Sequence, residues 1–97
     1  MTRFILAPLA KRDLQDIRDY IAKDSTTAAR RVVRELRAAM ERVAEMPGKG
    51  HLREDLCDEA LRVWVVYSYL IIYRPEPKPL QIVRVVSGYR DVPKVLG

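Results

Sequence analysis

A chain of 97 residues accommodates one domain with a hydrophobic core, and folding at this size buries roughly 60–70% of the surface that the unfolded chain exposes. A single cysteine, Cys57, excludes an intrachain disulfide and a Cys-x-x-Cys metal or redox pair, and it favours a reducing, cytoplasmic setting. The apolar stretch from Leu61 to Tyr73 is shorter than the ~20 residues of a membrane helix. The net charge of +5 admits a polyanion or an acidic protein as partner.

The N-terminal residues predict a short strand followed by an amphipathic helix. Residues 3–7 form an apolar run that ends at Pro8, and proline is well placed in the first turn of a helix. Ala7 is a weak N-cap, so we expect tertiary packing to hold this helix start. Beyond it, apolar residues recur at helical spacing and define one face: Ala10, Leu14, Ile17 and Ile21.

A second helix is predicted from about Ala28 to about Met46, after a turn with capping residues at 24–27. The segment Pro-Gly-Lys-Gly at 47–50 ends it. Its outer face is rich in Arg and Glu, as a solvated face is, and two such helices joined by about four residues are expected to pack as an antiparallel hairpin. The apolar stripe follows a 3.6-residue period: Ala29, Val32, Val33, Leu36, Met40 and Val43.

The second half of the chain predicts a polar loop followed by three strands. Residues 51–60 are mostly polar, with two leucines that we expect to hold the loop against the core. Runs rich in β-branched and aromatic residues follow at 61–67, 69–74 and 80–86, with a proline-rich turn before the last. The order β-α-α-β-β-β predicts an α+β domain over residues 1–97, in which a helical hairpin packs on one face of an antiparallel sheet.

Few residues of this chain suit catalysis. His51 and Cys57 form the one possible Cys–His pair, but both lie in a single loop without a group to orient them. Four acidic residues between 54 and 59 lack apolar neighbours that would favour a protonated carboxyl, so a solvated loop is the simpler interpretation. A zinc site needs more His and Cys ligands than the chain has, and no glycine-rich loop leads from a strand into a helix. We therefore expect no catalytic residue, no metal and no cofactor.

Basic and aromatic side chains on or just after the predicted strands remain as candidates for function. Arginine and tyrosine on a sheet can hold phosphates, stack on bases or anchor a protein interface, although ordinary sheet packing explains most of the aromatics. Arg90 stands out because it follows Gly88 at a strand end, where the backbone can turn sharply. The candidate target-binding residues are Arg90, Tyr89, Arg84, Arg74 and Arg62.

Taken in order, several segments resemble the ParE branch of the RelE/ParE superfamily, the toxins of bacterial type II toxin–antitoxin modules. The resemblance covers nearly the whole chain. It implies the same fold that the periodicity predicts. It also implies a cytoplasmic bacterial protein that is linked to plasmid stabilisation and that forms a hetero-oligomer with a ParD-like antitoxin. The segments that carry it are LAPLA at 6–10, Asp13-Leu14 with Ile17, Tyr20 and Ile21, MPGKG at 46–50, LIIYR at 70–74 and IVRVVSGYRD at 82–91.

The two branches of this superfamily differ in activity. RelE-like members cut mRNA on the ribosome, and such chemistry needs an acid, a base and cations for the developing phosphorane charge. By resemblance, the strand positions that are basic in that branch are Leu61, Val63 and Leu70 here, and the terminal aromatic is Leu96. The arginine after the last strand is kept, as Arg90. ParE-like members instead trap DNA gyrase on cleaved DNA, a task of binding rather than catalysis.

The resemblance therefore predicts a gyrase-binding toxin that a ParD-like antitoxin neutralises and that is not a nuclease. A RelE-like, ribosome-dependent mRNA endoribonuclease with rearranged basic residues is the first alternative. A non-toxic interaction module on the same fold is the second.

Overall fold

The computed structural model describes residues 4–49, 51–52 and 61–87. Within these ranges no helix is long and apolar enough to cross a membrane. A 3₁₀ turn, Pro47–Lys49, follows the second helix, and a two-residue strand lies where the sequence predicted only loop. The elements in chain order are β1 (Phe4–Leu6), α1 (Pro8–Ala22), α2 (Thr26–Glu45), β2 (His51–Leu52), β3 (Arg62–Val66), β4 (Tyr69–Arg74) and β5 (Leu80–Ser87).

The two helices begin in physically different ways. The N-cap of α1 is Ala7, which provides no side-chain cap, and Pro8 occupies the first turn. The N–H of Ala7 donates instead to the carbonyl oxygen of Ile82 at 2.9 Å, so packing against β5 fixes this end, as expected. In α2 the N-cap hydroxyl of Ser25 accepts the N–H of Ala28 at 3.1 Å. That cap places the start of α2 slightly before its predicted position.

The strands form one mixed sheet in the order β1-β5-β4-β3-β2. The pairs among β2, β3, β4 and β5 are antiparallel, but β1 runs parallel to β5, with Phe4 opposite Leu80 and Leu6 opposite Ile82. The predicted α+β class is thus confirmed, while the expectation of a wholly antiparallel sheet needs correcting at this one pair. No tight turn joins β1 to β5, so local sequence does not constrain their relative direction.

The main core lies between the helical hairpin and one face of the sheet. Tyr73, Leu36 and Met40 are among its largest fully buried side chains. Ala39 is also buried there, a position that the apolar stripe of α2 did not predict because alanine is a weak signal of burial. The stripe positions that are buried as predicted are Ala10 and Leu14 in α1 and Ala29, Leu36, Met40 and Val43 in α2.

The opposite face of the sheet carries a second hydrophobic cluster, which we call the rear cluster. Side chains alternate along a strand, so in β3 Val63 points to this face while Trp64 packs against the main core. Leu61 and Val63 are 2% and 3% exposed. The rear cluster consists of Leu61, Val63, Ile72 and Val86, with Leu70 and Val83 packed against it.

Tyr73 links the sheet to the end of α2. Its side chain is fully buried, and its hydroxyl donates to the carbonyl oxygen of Pro47 at 2.8 Å. Because Tyr73→Phe removes a hydrogen bond that the fully buried Tyr73 side chain makes, we expect the free energy of unfolding to fall by about 1–2 kcal/mol. Urea denaturation followed by far-UV circular dichroism measures the change.

The matched control for this substitution is Tyr67→Phe. Tyr67 lies in the turn between β3 and β4 and is 57% exposed, so losing its hydroxyl should shift stability by less than about 0.5 kcal/mol. Equal stability of Tyr73→Phe and the unmodified protein would show that the Pro47 carbonyl does not depend on this hydroxyl.

Candidate binding cleft

The candidate site is built around an ion pair between α1 and β5. Arg84 donates through Nε to Oδ2 of Asp13 at 2.7 Å and through Nη2 to Oδ1 at 2.9 Å. The backbone N–H of Val85 donates to the same Oδ2 at 2.9 Å. The side chains of Arg84 and Asp13 are 19% and 13% exposed. One largely buried carboxylate therefore receives a bidentate guanidinium and a backbone donor together.

The position of this pair follows from where β1 ends. β1 pairs with β5 only over residues 80–82, so beyond that point none of the described strands lies along the outer edge of β5. Asp13 occupies part of the vacated edge, since its carboxylate accepts the Val85 N–H that a neighbouring strand would otherwise accept. At Val85 a side chain of the helix thus replaces the backbone of a neighbouring strand.

A β-bulge precedes the pair. Ile72 lies opposite Arg84 and Tyr73 opposite Ile82, so Val83 is an extra residue on β5. Bulges increase the local twist of a strand and redirect the side chains next to them. Arg84, directly after the bulge, reaches α1 at the sheet edge.

The hydrogen bond to Asp13 raises the pKa of Arg84 above its ordinary value, an effect that partial burial opposes and the charge of Asp13 reinforces. A raised pKa adds stability at every pH below the ordinary pKa of arginine, and that stability is lost only as pH rises through the raised value. Arg84 is therefore charged wherever the protein is folded. Its charge is balanced by Asp13 rather than displayed to a ligand.

A cleft of about 470 Å³ opens beside the ion pair, between α1 and the ends of β4 and β5. The α1 residues that line it are spaced by three, four and seven positions from Asp13, and this spacing puts them on one face of the helix. Tyr69 lines the cleft from β4. The full lining is Asp13, Asp16, Ile17, Tyr20, Tyr69, Arg84, Val85, Val86 and Ser87.

The cleft is amphipathic and locally acidic. Asp13 and Arg84 neutralise each other, so among the lining residues Asp16 contributes an uncompensated negative charge. This sign is opposite to the net charge of +5 of the whole chain. Tyr20 on the rim is 71% exposed, and the Nζ of Lys23 lies 6.0 Å from its ring centroid. Exposed tyrosine beside an apolar wall is typical of protein-binding surfaces.

The structure separates the predicted arginines. Arg84 is bound to Asp13. Arg62 lies on the helix-facing side, where its Nη1 donates to the carbonyl oxygen of Gly48 at 3.4 Å. Arg74 follows the core residue Tyr73 and so points to the other face, where its Nη1 donates to Oε1 of Gln81 at 3.4 Å. These three side chains do not form one cationic cluster.

The other predicted site residues, Tyr89 and Arg90, lie outside the described residues, as do Cys57, the acidic loop positions and Leu96. The backbone of His51 belongs to β2. Within the ranges that the structure describes, no group of three or more His, Cys, Asp or Glu residues is arranged to hold a metal ion.

Reasoning from the sequence did not select Asp13, Asp16 or Tyr20 as site residues. All three belong to the charged face or the flank of α1, where a solvated role is the simplest interpretation. The partner of Asp13 is 71 residues away in the chain. No local pattern encodes that contact, so the signal for this site appears only when α1 and β5 are brought together.

A helical hairpin on one face of a mixed sheet, with a lined cleft at the edge, is the α+β layout expected for a RelE/ParE-like fold. Residues 4–92 match the model of a family described as the ParE toxin of the type II toxin–antitoxin system parDE. The match spans most of the chain, and the chain therefore belongs to the ParE toxin family. This confirms the resemblance read from the sequence. No curated protein matches the chain.

Nine chains of solved structures match this chain. One belongs to a structure titled "Chromosomal ParDE TA system from P. aeruginosa" and aligns with a TM-score of 0.72. The alignment covers 87% of this chain and 92% of that chain at 18% sequence identity. At this identity the similarity establishes the fold.

The ion pair generates a prediction about stability. Asp13→Asn removes the charge that compensates a largely buried guanidinium, so we expect the free energy of unfolding to fall by roughly 2–4 kcal/mol. Chemical denaturation of Asp13→Asn, Arg84→Met and the double variant measures the coupling between the two side chains.

Asp16→Asn is the matched control, because Asp16 is exposed on the same helix, and its effect should stay within about 0.5 kcal/mol. The double variant is expected to lose less stability than the two single variants added together. Strict additivity would mean that the contact seen between Asp13 and Arg84 does not stabilise the fold.

Proposed function

We propose that this protein is a bacterial cytoplasmic toxin that binds DNA gyrase and holds it on cleaved DNA, and that a ParD-like antitoxin neutralises it. Membership of the ParE toxin family supports the toxin role. Gyrase as the target rests on the resemblance to the ParE branch of the superfamily. The net charge of +5 favours fast association with an acidic antitoxin and contact with an enzyme that carries DNA.

The observation that carries this proposal is the apolar character of the positions that would hold nuclease groups. Leu61 and Val63 are buried in the rear cluster, and Leu70 packs against it. Hydrocarbon side chains transfer no proton and stabilise no phosphorane charge. The same positions instead hold the sheet together, which supports a toxin that acts by binding.

The endoribonuclease alternative requires its cations to come from elsewhere on the sheet. Arg62 and Arg74 lie on opposite faces, and Arg84 is bound to Asp13. Phosphoryl-transfer chemistry depends on charged groups that converge on one phosphate. This dispersal favours binding over ribonuclease activity, while a non-toxic interaction module stays a second alternative.

The proposed contact residues for the target are Arg90 and Tyr89, which follow β5 in the sequence. In the chain they come directly after Ser87 and Gly88, and Ser87 lines the cleft. Arginine and tyrosine are among the residues that dominate binding energy at interfaces. Arg62, Arg74 and Arg84 are the second choice, because each already has a partner in the structure.

The purified chain is expected to poison gyrase in vitro. A supercoiling reaction with plasmid DNA, stopped with detergent and protease, should accumulate linear DNA in proportion to added toxin. In cells, induction should bring on the SOS response and filamentation, while primer extension on mRNA should show no new codon-linked ends. Asp13→Asn, if destabilised as expected, serves as the poorly folded control.

The outcomes separate the three candidate functions. Clean cleavage within translated messages, with no effect on gyrase, would reject the gyrase proposal in favour of the ribonuclease. Normal growth at full expression of the folded chain would point to the non-toxic module.

Arg90→Ala is expected to lower growth inhibition by about tenfold or more, because arginine anchors at interface centres often contribute over 1.4 kcal/mol to binding. Viable counts after graded induction measure the effect, and thermal denaturation checks that the variant is folded. Arg12→Ala is the matched control, since Arg12 is exposed on α1. Full toxicity of folded Arg90→Ala would move the target-binding surface away from this residue.

A further inference from the structure

The outward side of α2 carries a row of arginines, which we call the arginine ridge. Arg30, Arg34 and Arg37 are spaced by four and three residues, so they lie on one face of the helix, over about 10 Å of its axis. Arg31 comes three residues before Arg34 and therefore borders the same face. The ridge has four members, all exposed: Arg30, Arg31, Arg34 and Arg37.

The fold makes no use of these four charges. Among the residues that the structure describes, no carboxylate forms an ion pair with a member of the ridge, whereas Arg84 on the sheet is bound to Asp13. Like charges three or four positions apart repel each other and destabilise a helix. The ridge therefore weakens α2 in the isolated chain, and a bound polyanion would remove that repulsion.

The positive charge is concentrated in the first half of α2. Between positions 30 and 37 the chain has four arginines and one glutamate, a net charge of +3 out of +5 for the whole chain. The first turn of α2 holds no acidic residue, so nothing there offsets the positive end of the helix dipole. In the second half, Glu41 and Glu45 flank Arg42. The ridge is thus a local cationic surface and not a face of mixed sign.

The chemistry of this surface selects the kind of partner. A stable protein interface has a core of aromatic or aliphatic side chains inside a polar rim, but the large hydrophobic side chains that the structure describes as exposed all lie outside α2. The apolar side of α2 faces the main core, so it is not free to enter a membrane surface. The helix also has no aromatic ring on which single-stranded bases could stack. A phosphate backbone, which is recognised by charge alone, fits these properties.

We propose that the arginine ridge binds the phosphate backbone of duplex DNA without regard to its sequence. Arginine suits this role because its planar guanidinium donates two parallel hydrogen bonds to one phosphate. Duplex DNA carries one charge per about 1.7 Å of its axis, so several phosphates lie within the length of the ridge. The choice of DNA over RNA rests on the proposed function, because gyrase holds a DNA duplex.

This contact adds a second surface to the toxin. No member of the ridge lines the cleft, and the proposed contact residues for gyrase follow β5. Two contacts made together raise the overall affinity, because the second one forms at high effective concentration. In the gyrase reaction, a toxin without the ridge should therefore need about tenfold more protein to produce the same amount of linear DNA.

The direct test measures DNA binding by the purified chain, without gyrase. Fluorescence anisotropy of a short labelled DNA duplex is recorded at several potassium chloride concentrations. Four phosphate contacts predict a slope of about −3.6 for the logarithm of the binding constant against the logarithm of salt concentration. The triple variant Arg30→Gln/Arg34→Gln/Arg37→Gln should bring this slope about 2.7 closer to zero and raise Kd by about tenfold or more. A duplex of unrelated sequence should give the same Kd within about twofold.

The matched control removes the same charge from other places on the surface. Lys11, Arg12 and Lys78 are exposed and lie outside α2, and Lys11→Gln/Arg12→Gln/Lys78→Gln lowers the net charge from +5 to +2, as the ridge variant does. The control should change the salt slope by less than about 1. Thermal denaturation should show that the ridge variant is at least as stable as the unmodified chain, because it removes like-charge repulsion.

Three results would overturn the inference. The first is an equal Kd and salt slope for the two triple variants, since the position of the charges would then not matter. The second is tighter binding to a duplex RNA of the same sequence. The third is a ridge variant that still binds DNA but no longer binds the purified product of the small open reading frame next to the toxin gene, which would assign the ridge to a protein partner.

The gyrase reaction separates this inference from the function on which it rests. A chain that binds duplex DNA through the ridge but leaves gyrase unaffected supports the inference and rejects the gyrase proposal. A chain that poisons gyrase, with a ridge variant that binds DNA as tightly as the unmodified chain, supports the proposed function and rejects the inference.

Discussion

The arrangement of this domain depends on the hydrogen bonds that the carboxylate of Asp13 accepts. It joins α1 to β5 by accepting the guanidinium of Arg84 and the N–H of Val85 together. The Asp13 side chain is only 13% exposed, and a carboxylate this buried is stable as an ion only when an opposite charge is held beside it. The pair therefore ties α1 to the outer edge of β5, in addition to the hydrophobic packing between the helices and the sheet.

The same contact explains why a cleft exists. β1 is only three residues long, so it leaves the second half of β5 without a neighbouring strand among the described residues. Asp13 satisfies one backbone donor of that edge, and the cleft lined in part by Asp16, Tyr20 and Ser87 lies beside it. Because the first strand is short, the side chain of Asp13 on α1, and not a neighbouring strand, accepts the N–H of Val85.

The rear cluster connects the fold to the proposed mode of action. Leu61, Val63 and Leu70, which the resemblance to the superfamily aligns with basic positions of the ribonuclease branch, belong here to a hydrophobic cluster. Replacing ionisable groups by packed hydrocarbon removes the means to transfer protons but strengthens the sheet. A toxin that acts by binding, as proposed above, needs a stable surface and does not need to transfer protons.

The sequence by itself determined the elements, their order and most of the main core, because helical and strand periodicities are local properties of the chain. It also carried the family resemblance and the apolar residues of the rear cluster. The tertiary structure decided the parallel pairing of β1 with β5, the separation of Arg62, Arg74 and Arg84, and the cleft. The pair of Asp13 with Arg84 spans 71 residues, and the free edge at Ser87 depends on where another strand stops. Such features depend on the relative placement of distant segments, which no local spacing encodes.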